Sequence, residues 1–186
     1  MDVLDLFPRS ILRGTLPAPL LNQLIDLGES VLANPSASPD ASAKLAGQLR
    51  QQRELRPDPP AVQQLSAEAL LPACDRWIRH VMDRQPPQGR GPWVPGRYRL
   101  QMIDLWINCQ TAGDYNPTHT HGGSFSGVIF LKVPPQITGN SFDGQLCFHG
   151  PEDWHLQSFR TGMAHYVLPV PGEYYVFPAW QPHSVM

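Results

Sequence analysis

The apolar positions of this chain change their period about halfway along. In the first half they recur at three- and four-residue spacing. Leu20, Leu21, Leu24, Ile25, Leu27 and Val31 form one such set, entered after Pro17 and Pro19 and ended before Asn34-Pro35. That is the stripe of an amphipathic helix, which turns once every ~3.6 residues. Residues 35–42, PSASPDAS, read as a loop. Residues 43–55 carry a second, weaker helical pattern, broken by Arg56-Pro57-Asp58-Pro59-Pro60 because proline has no N–H to give a helix. Val62 to Asp83 is the strongest helical stretch, with Leu65, Leu70, Trp77, Ile78 and Val81 apolar, and Pro72 is expected to kink or split it. Residues 85–96, QPPQGRGPWVPG, form a Pro/Gly linker.

Beyond the linker the pattern alternates. Over Arg97–Cys109, RYRLQMIDLWINC, Leu100, Met102, Asp104, Trp106 and Asn108 would share one strand face, with Gln101, Ile103, Leu105 and Ile107 on the other. Ser126–Val133 is a second strand, stopped by Pro134-Pro135, and Gln145–His149 a short third. Ala164–Pro169 and Glu173–Phe177 are two more, joined through Val170-Pro171-Gly172. Short strands with turns between them suggest a jelly roll, and helices followed by strands argue for α+β. The expected architecture is N-terminal helices packed on a double-stranded β-helix, a cupin-like barrel. Residues 1–96 would be a helical region flanking the barrel and 97–186 the metal-binding core, one structural domain overall. The 21 prolines are spread without repeat, as many short elements require.

Composition narrows the function. With 186 residues, 41% hydrophobic and 16% charged, the chain can bury a core. The net charge is -2, only Lys44 and Lys132 are lysines, and the arginines are scattered. This argues against a surface that neutralises phosphates, so no nucleic-acid partner is expected. No apolar run approaches the roughly 20 residues that span a bilayer, and MDVLDLFPRS lacks the basic and apolar regions of a signal peptide. Cys74, Cys109 and Cys147 are odd in number and far apart, so a reducing, cytoplasmic setting and no membrane partner are expected.

The chemistry concentrates in Gly113-Asp-Tyr-Asn-Pro-Thr-His119-Thr-His121. In an extended chain the x of H-x-H points away and both imidazoles face one side, which supplies two ligands of a metal site. A second segment, PGEYYVFPAWQPHSV, reads as a turn, a strand, a proline-bounded turn and then His183, 62 residues after His121. Three protein ligands on one face leave adjacent coordination positions open for a cosubstrate and dioxygen. Asp114, Asp143, Glu152 and Asp153 lack the spacing to act as a ligand. His80, His149, His155 and His165 read as structural or solvated. Trp106, Phe130, Phe148 and Phe177 read as packing, and Trp180 as a residue lining the mouth of the site.

These residues resemble a 2-oxoglutarate/Fe(II) oxygenase family of uncharacterised bacterial and phage proteins, relatives of the prolyl hydroxylases. The likeness rests on LFP at 6–8, AGQL at 46–49, WIN at 106–108, the run GDYNPTHTHGGSFSGVIFLKVP and the closing PGEYYVFPAWQPHSV. The resemblance implies that His119 and His183 are iron ligands and that His121 replaces the usual acidic ligand. It implies catalysis at this trio, Fe(II) as metal, and 2-oxoglutarate and O2 as cosubstrates. It also implies hydroxylation of a C–H bond with decarboxylation of 2-oxoglutarate to succinate. Asn108 and Gln110, ahead of the H-x-H, are the positions expected to touch 2-oxoglutarate. The primary substrate and the oligomeric state are not legible.

The family's Arg or Lys for the far carboxylate of 2-oxoglutarate is expected about ten residues beyond the distal histidine. Met186 is three residues beyond His183. The sequence is therefore expected to be cut short, the alternative being a substitute cation among Arg97, Arg99, Lys132 and Arg160. Two rival functions use the same residues. One is a three-His cupin-type dioxygenase without 2-oxoglutarate, since Gly113, His119, His121, Gly172, Pro178 and His183 keep cupin spacing. The other is a non-catalytic metal-binding barrel.

Overall fold

The leucine stripe of the first half forms α1 (Ala18–Ala33), which buries Leu20 and Leu24. The structure is a computed structural model that describes residues 9–41, 47–84, 98–150 and 164–186. Glu152, Asp153, His155, Arg97, Arg160, the LFP motif and the linker at 85–96 lie outside the described residues. The strongest helical stretch forms α2 (Pro60–Gln64), a π-helical turn (Leu65–Leu70) and α3 (Leu71–Arg84), one following directly on another. The helix is not split at Pro72. The wider π turn just before it accommodates a residue that cannot donate an N–H.

The weak helical pattern at 43–55 is not borne out at its C-terminal end, where Gln51–Glu54 is strand β2. Its backbone pairs antiparallel with β3 (Trp106–Cys109), and that ladder overrides the local helical preference. The long strand expected over 97–109 shortens to β3 for the same reason: among its described residues only the last four have a ladder partner. A further strand, β1 (Leu12–Thr15), precedes α1 and was not marked by alternation.

The remaining strands are β4 (Asn116–His119), β5 (Phe125–Ile129), β6 (Leu146–His149), β7 (Ala164–Val167), β8 (Glu173–Pro178) and β9 (His183–Val185). They make a three-stranded sheet, β1-β8-β5, and a four-stranded sheet, β4-β9-β6-β7, all antiparallel. Alternation along β8 sorts its side chains. Tyr175 and Phe177 join Leu146, Phe148 and Val167 in a core shared by the two sheets. Val176, on the opposite face, packs with Ala73 and Cys74 of α3. The layers are therefore helices, three-stranded sheet, then four-stranded sheet. A second core of Leu16, Leu20, Leu24, Ala61, Leu65 and Ala69 holds the helices together. The ladders of the described strands do not close into a ring. The α+β expectation holds as helices on a pair of antiparallel sheets.

Candidate metal centre

The site is built where β4 pairs with β9. Asn116 lies opposite Val185 and His119 opposite His183, so three steps on β4 match two on β9. The extra residue makes a β-bulge at Pro117-Thr118, a place where proline's missing N–H does no harm. Opposed residues of an antiparallel pair share a face, which turns His119 and His183 to the same side, ring centroids 4.3 Å apart. His121 follows on the turn after β4. Its N–H donates to the Ala179 carbonyl at 2.9 Å, which ties it to the turn before β9.

The three imidazoles converge. One nitrogen from each of His119, His121 and His183 lies within 4.8 Å of the others, and the Nε2 atoms of His121 and His183 are 3.2 Å apart. Two ligands at right angles on a metal with ~2.1 Å bonds are about 3 Å apart, so this spacing suits a shared ion. Tautomers are set as well. His119 Nδ1–H donates to the Pro117 carbonyl at 2.7 Å and His183 Nδ1–H to the Gln181 carbonyl at 3.0 Å. Each Nε2 is thereby left as a lone pair facing the centre, the arrangement a metal needs. Three imidazole nitrogens suit Fe(II) and also Zn(II).

Burial favours the neutral imidazole at His183 and His121. His183 is 2% exposed, and its pKa is lowered to about 4, first by burial and then by the neighbouring imidazoles, against the opposing pull of the Gln181 carbonyl. His121 is lowered by burial and by His119. Phe177 stands edge-on to His183 at 4.8 Å, and Trp106 lies 5.8 Å from His121. Of the four aromatics read as packing, Phe148 and Phe177 are buried and Phe130 packs against them, whereas Trp106 borders His121 of the three-histidine cluster.

The other candidates lie elsewhere. Asp114 accepts from the Thr111 N–H and hydroxyl at 2.9 and 3.0 Å and pairs with Arg50 at 3.4 Å, so its carboxylate closes a turn. Asp143 accepts from the Ser141 hydroxyl. His149 meets Thr118 and Ser184 at 3.2 and 2.9 Å, the sequence neighbours of His119 and His183. His80 and His165 are exposed. Asn108, on β3, shares Trp106's strand face but is exposed, as is Gln110. Trp180 is 58% exposed, with the Arg9 guanidinium 5.7 Å from its ring. Lys132 pairs with Glu29 at 2.6 Å. Arg99 lines a separate cavity of about 340 Å³ with Pro57, Val62, Ser66, Leu71 and Met102, and none of the three histidines borders it.

Two residues of the site escape sequence reasoning. Gln181 is 2% exposed and donates to the His149 and Pro182 carbonyls at 2.8 and 2.9 Å, which pins the turn carrying His183. Asn116 is 8% exposed and its Nδ2 lies 3.5 Å from His119 Nε2. The N-P pair that precedes the bulge is its one signal in the sequence.

Residues 104–186 match the family model described as "Putative 2OG-Fe(II) oxygenase". No curated protein matches the chain. The fold is similar to the crystal structure of a Pseudomonas putida prolyl-4-hydroxylase, at 18% identity and a TM-score of 0.60, over 96% of this chain and 86% of that one. The matched family implies Fe(II) and 2-oxoglutarate, with O2 as the second cosubstrate, and the three-histidine cluster fits that metal. No described helix is long and apolar enough to cross a membrane.

Proposed function

We propose, from the match of residues 104–186 to the 2OG-Fe(II) oxygenase family, that this protein is an Fe(II)- and 2-oxoglutarate-dependent dioxygenase that hydroxylates a C–H bond of its substrate. The observation that carries the reading is the convergence of three imidazole nitrogens, two with their tautomer fixed by a carbonyl. His119, His121 and His183 would hold the metal, which when bound supplies the site for 2-oxoglutarate and for activation of O2.

The chain's own residues do the rest. The Pro117 and Gln181 carbonyls hold the Nδ1 protons of His119 and His183 and keep their Nε2 lone pairs on the centre. Phe177 and Phe148 keep water from the inner side of His183. Trp106 walls His121, and Trp180 is proposed to line the approach for substrate. Asn108, on the strand face of Trp106, and Gln110 are proposed to touch 2-oxoglutarate. The reading includes a jelly-roll closure of the two facing sheets, supported by their shared aromatic core. It also treats 1–96 and 97–186 as one structural domain, supported by the pairing of β1 with β8 and of β2 with β3. A reducing, cytoplasmic setting is supported by three free cysteines.

One observation favours a second reading. The cluster holds no carboxylate, so a three-His dioxygenase that does not use 2-oxoglutarate is the rival. Turnover separates the two. Protein loaded with Fe(II) without oxygen, then given 2-oxoglutarate and air, is expected to release succinate, and His119→Ala and His183→Ala are expected to release none. A metal-loaded protein that forms no succinate above the protein-free rate contradicts the proposal.

A further inference from the structure

Asn116 and His119 are three residues apart, a spacing that in a regular strand puts side chains on opposite faces. The bulge at Pro117-Thr118 cancels one step and turns both to the same side. The carboxamide that results is buried and poorly held. Its Oδ1 has no hydrogen-bond partner, and its Nδ2 reaches the Nε2 lone pair of His119 at 3.5 Å, the edge of hydrogen-bond range. His119 Nδ1 is committed to the Pro117 carbonyl, so that same Nε2 is the atom left to bind metal. A metal there takes away the one acceptor that Asn116 Nδ2 has within reach among the described residues. A group held by the metal beside Nε2 would be an acceptor on the side the carboxamide already faces. Three neutral imidazoles also leave the metal's charge uncompensated, which favours an anion in that position.

We infer that Asn116 is a ligand-binding residue of this centre, its Nδ2–H donating to a carboxylate oxygen of the metal-held 2-oxo acid. This rests on the 2-oxoglutarate reading above. A buried polar group with no firm partner is a poor structural element, because burying it without a hydrogen bond is unfavourable. Its position beside a lone pair that a metal would consume is explained by a ligand that arrives with the metal. Metal affinity depends on the three imidazoles, whereas affinity for the acid would depend on Asn116 as well.

The test is an anaerobic titration, first of Fe(II) and then of 2-oxoglutarate, followed by calorimetry and by the charge-transfer absorption of the chelate. Wild type, Asn116→Ala and the isosteric Asn116→Asp are compared, with thermal melts of the metal-free proteins alongside. Asn116→Ala is expected to keep Fe(II) affinity within about threefold and to melt no lower than wild type. It should weaken 2-oxoglutarate binding by about 10- to 100-fold, the range for a lost hydrogen bond to a charged group, with a shifted absorption band. Asn116→Asp keeps the side-chain shape, sets a carboxylate against a carboxylate, and is expected to weaken 2-oxoglutarate at least as much while Fe(II) binding holds or tightens. Equal 2-oxoglutarate affinity in wild type and both variants overturns the inference and leaves the oxygenase reading standing. Loss of metal and of 2-oxoglutarate affinity by the same factor shows a structural role and overturns it too. A wild type that binds Fe(II) but no 2-oxoglutarate overturns the reading itself and the inference with it.

Discussion

Two backbone carbonyls, those of Pro117 and Gln181, decide which nitrogen of His119 and His183 faces the centre. Replacing His119 or His183 with Ala removes one of three donors, and bound metal should fall from about one per chain to below a tenth, measured by elemental analysis after anaerobic desalting. His121→Asp should keep the metal, because a carboxylate is the commoner third ligand of a facial set. Complete loss would show that the imidazole is needed there. The buried His183 also ties stability to pH. Its folded pKa, about 4, lies below the unfolded value of ~6.5, so the unfolded chain takes up a proton between those limits that the folded chain refuses. Its neutral form is therefore fully accommodated above about pH 6.5, and the metal-free protein loses up to about 3 kcal/mol on acidification to pH 4. Urea titrations of wild type and His183→Gln at pH 7 and 4.5 check this. The wild type should lose more stability than the variant, and equal losses would remove His183 as the cause.

At the scale of elements, β4 depends on a neighbour of no chemistry. A Cβ built on Gly47 would collide with the Tyr115 carbonyl and lie 3.0 Å from Asn116 Cα, so the chain at 47 packs directly on the strand that bears His119. Gly47→Ala must push β4 or the bridge between Gln48 and Tyr115, and should cost about 1–3 kcal/mol with a roughly tenfold drop in metal affinity. Unchanged melts and unchanged titrations would show that β4 yields freely. The convergence of the three histidines was legible because H-x-H and the PGEYYVFPAWQPH turn carry local geometry. Asn116 was not, because its orientation comes from a bulge set by pairing with β9. β1 and β2 were also missed. Neither alternates strongly, and each becomes a strand only through a partner more than 50 residues away, β8 and β3. The Pro72 helix fails to split for a reason no periodicity shows, the π turn before it.

At the scale of the molecule, the first and second halves are woven together. β1 pairs with β8 along four residues, and Leu16, just after it, is buried with the helices. A chain begun at Pro17 should expose the edge of β8, melt about 10 °C or more below the full chain and aggregate on heating. A melt unchanged by the deletion would make the N-terminal half an appendage. The coarse order of helices before strands was readable from the change in period, while the layering was not, because it depends on which face of β8 meets α3 and which meets β6. The central claim is that one ion is held by three imidazoles, and X-ray absorption on Fe(II)-loaded protein tests it directly. The spectrum should show three histidine rings by their multiple-scattering pattern. One ring or none, at full metal loading, would contradict the account.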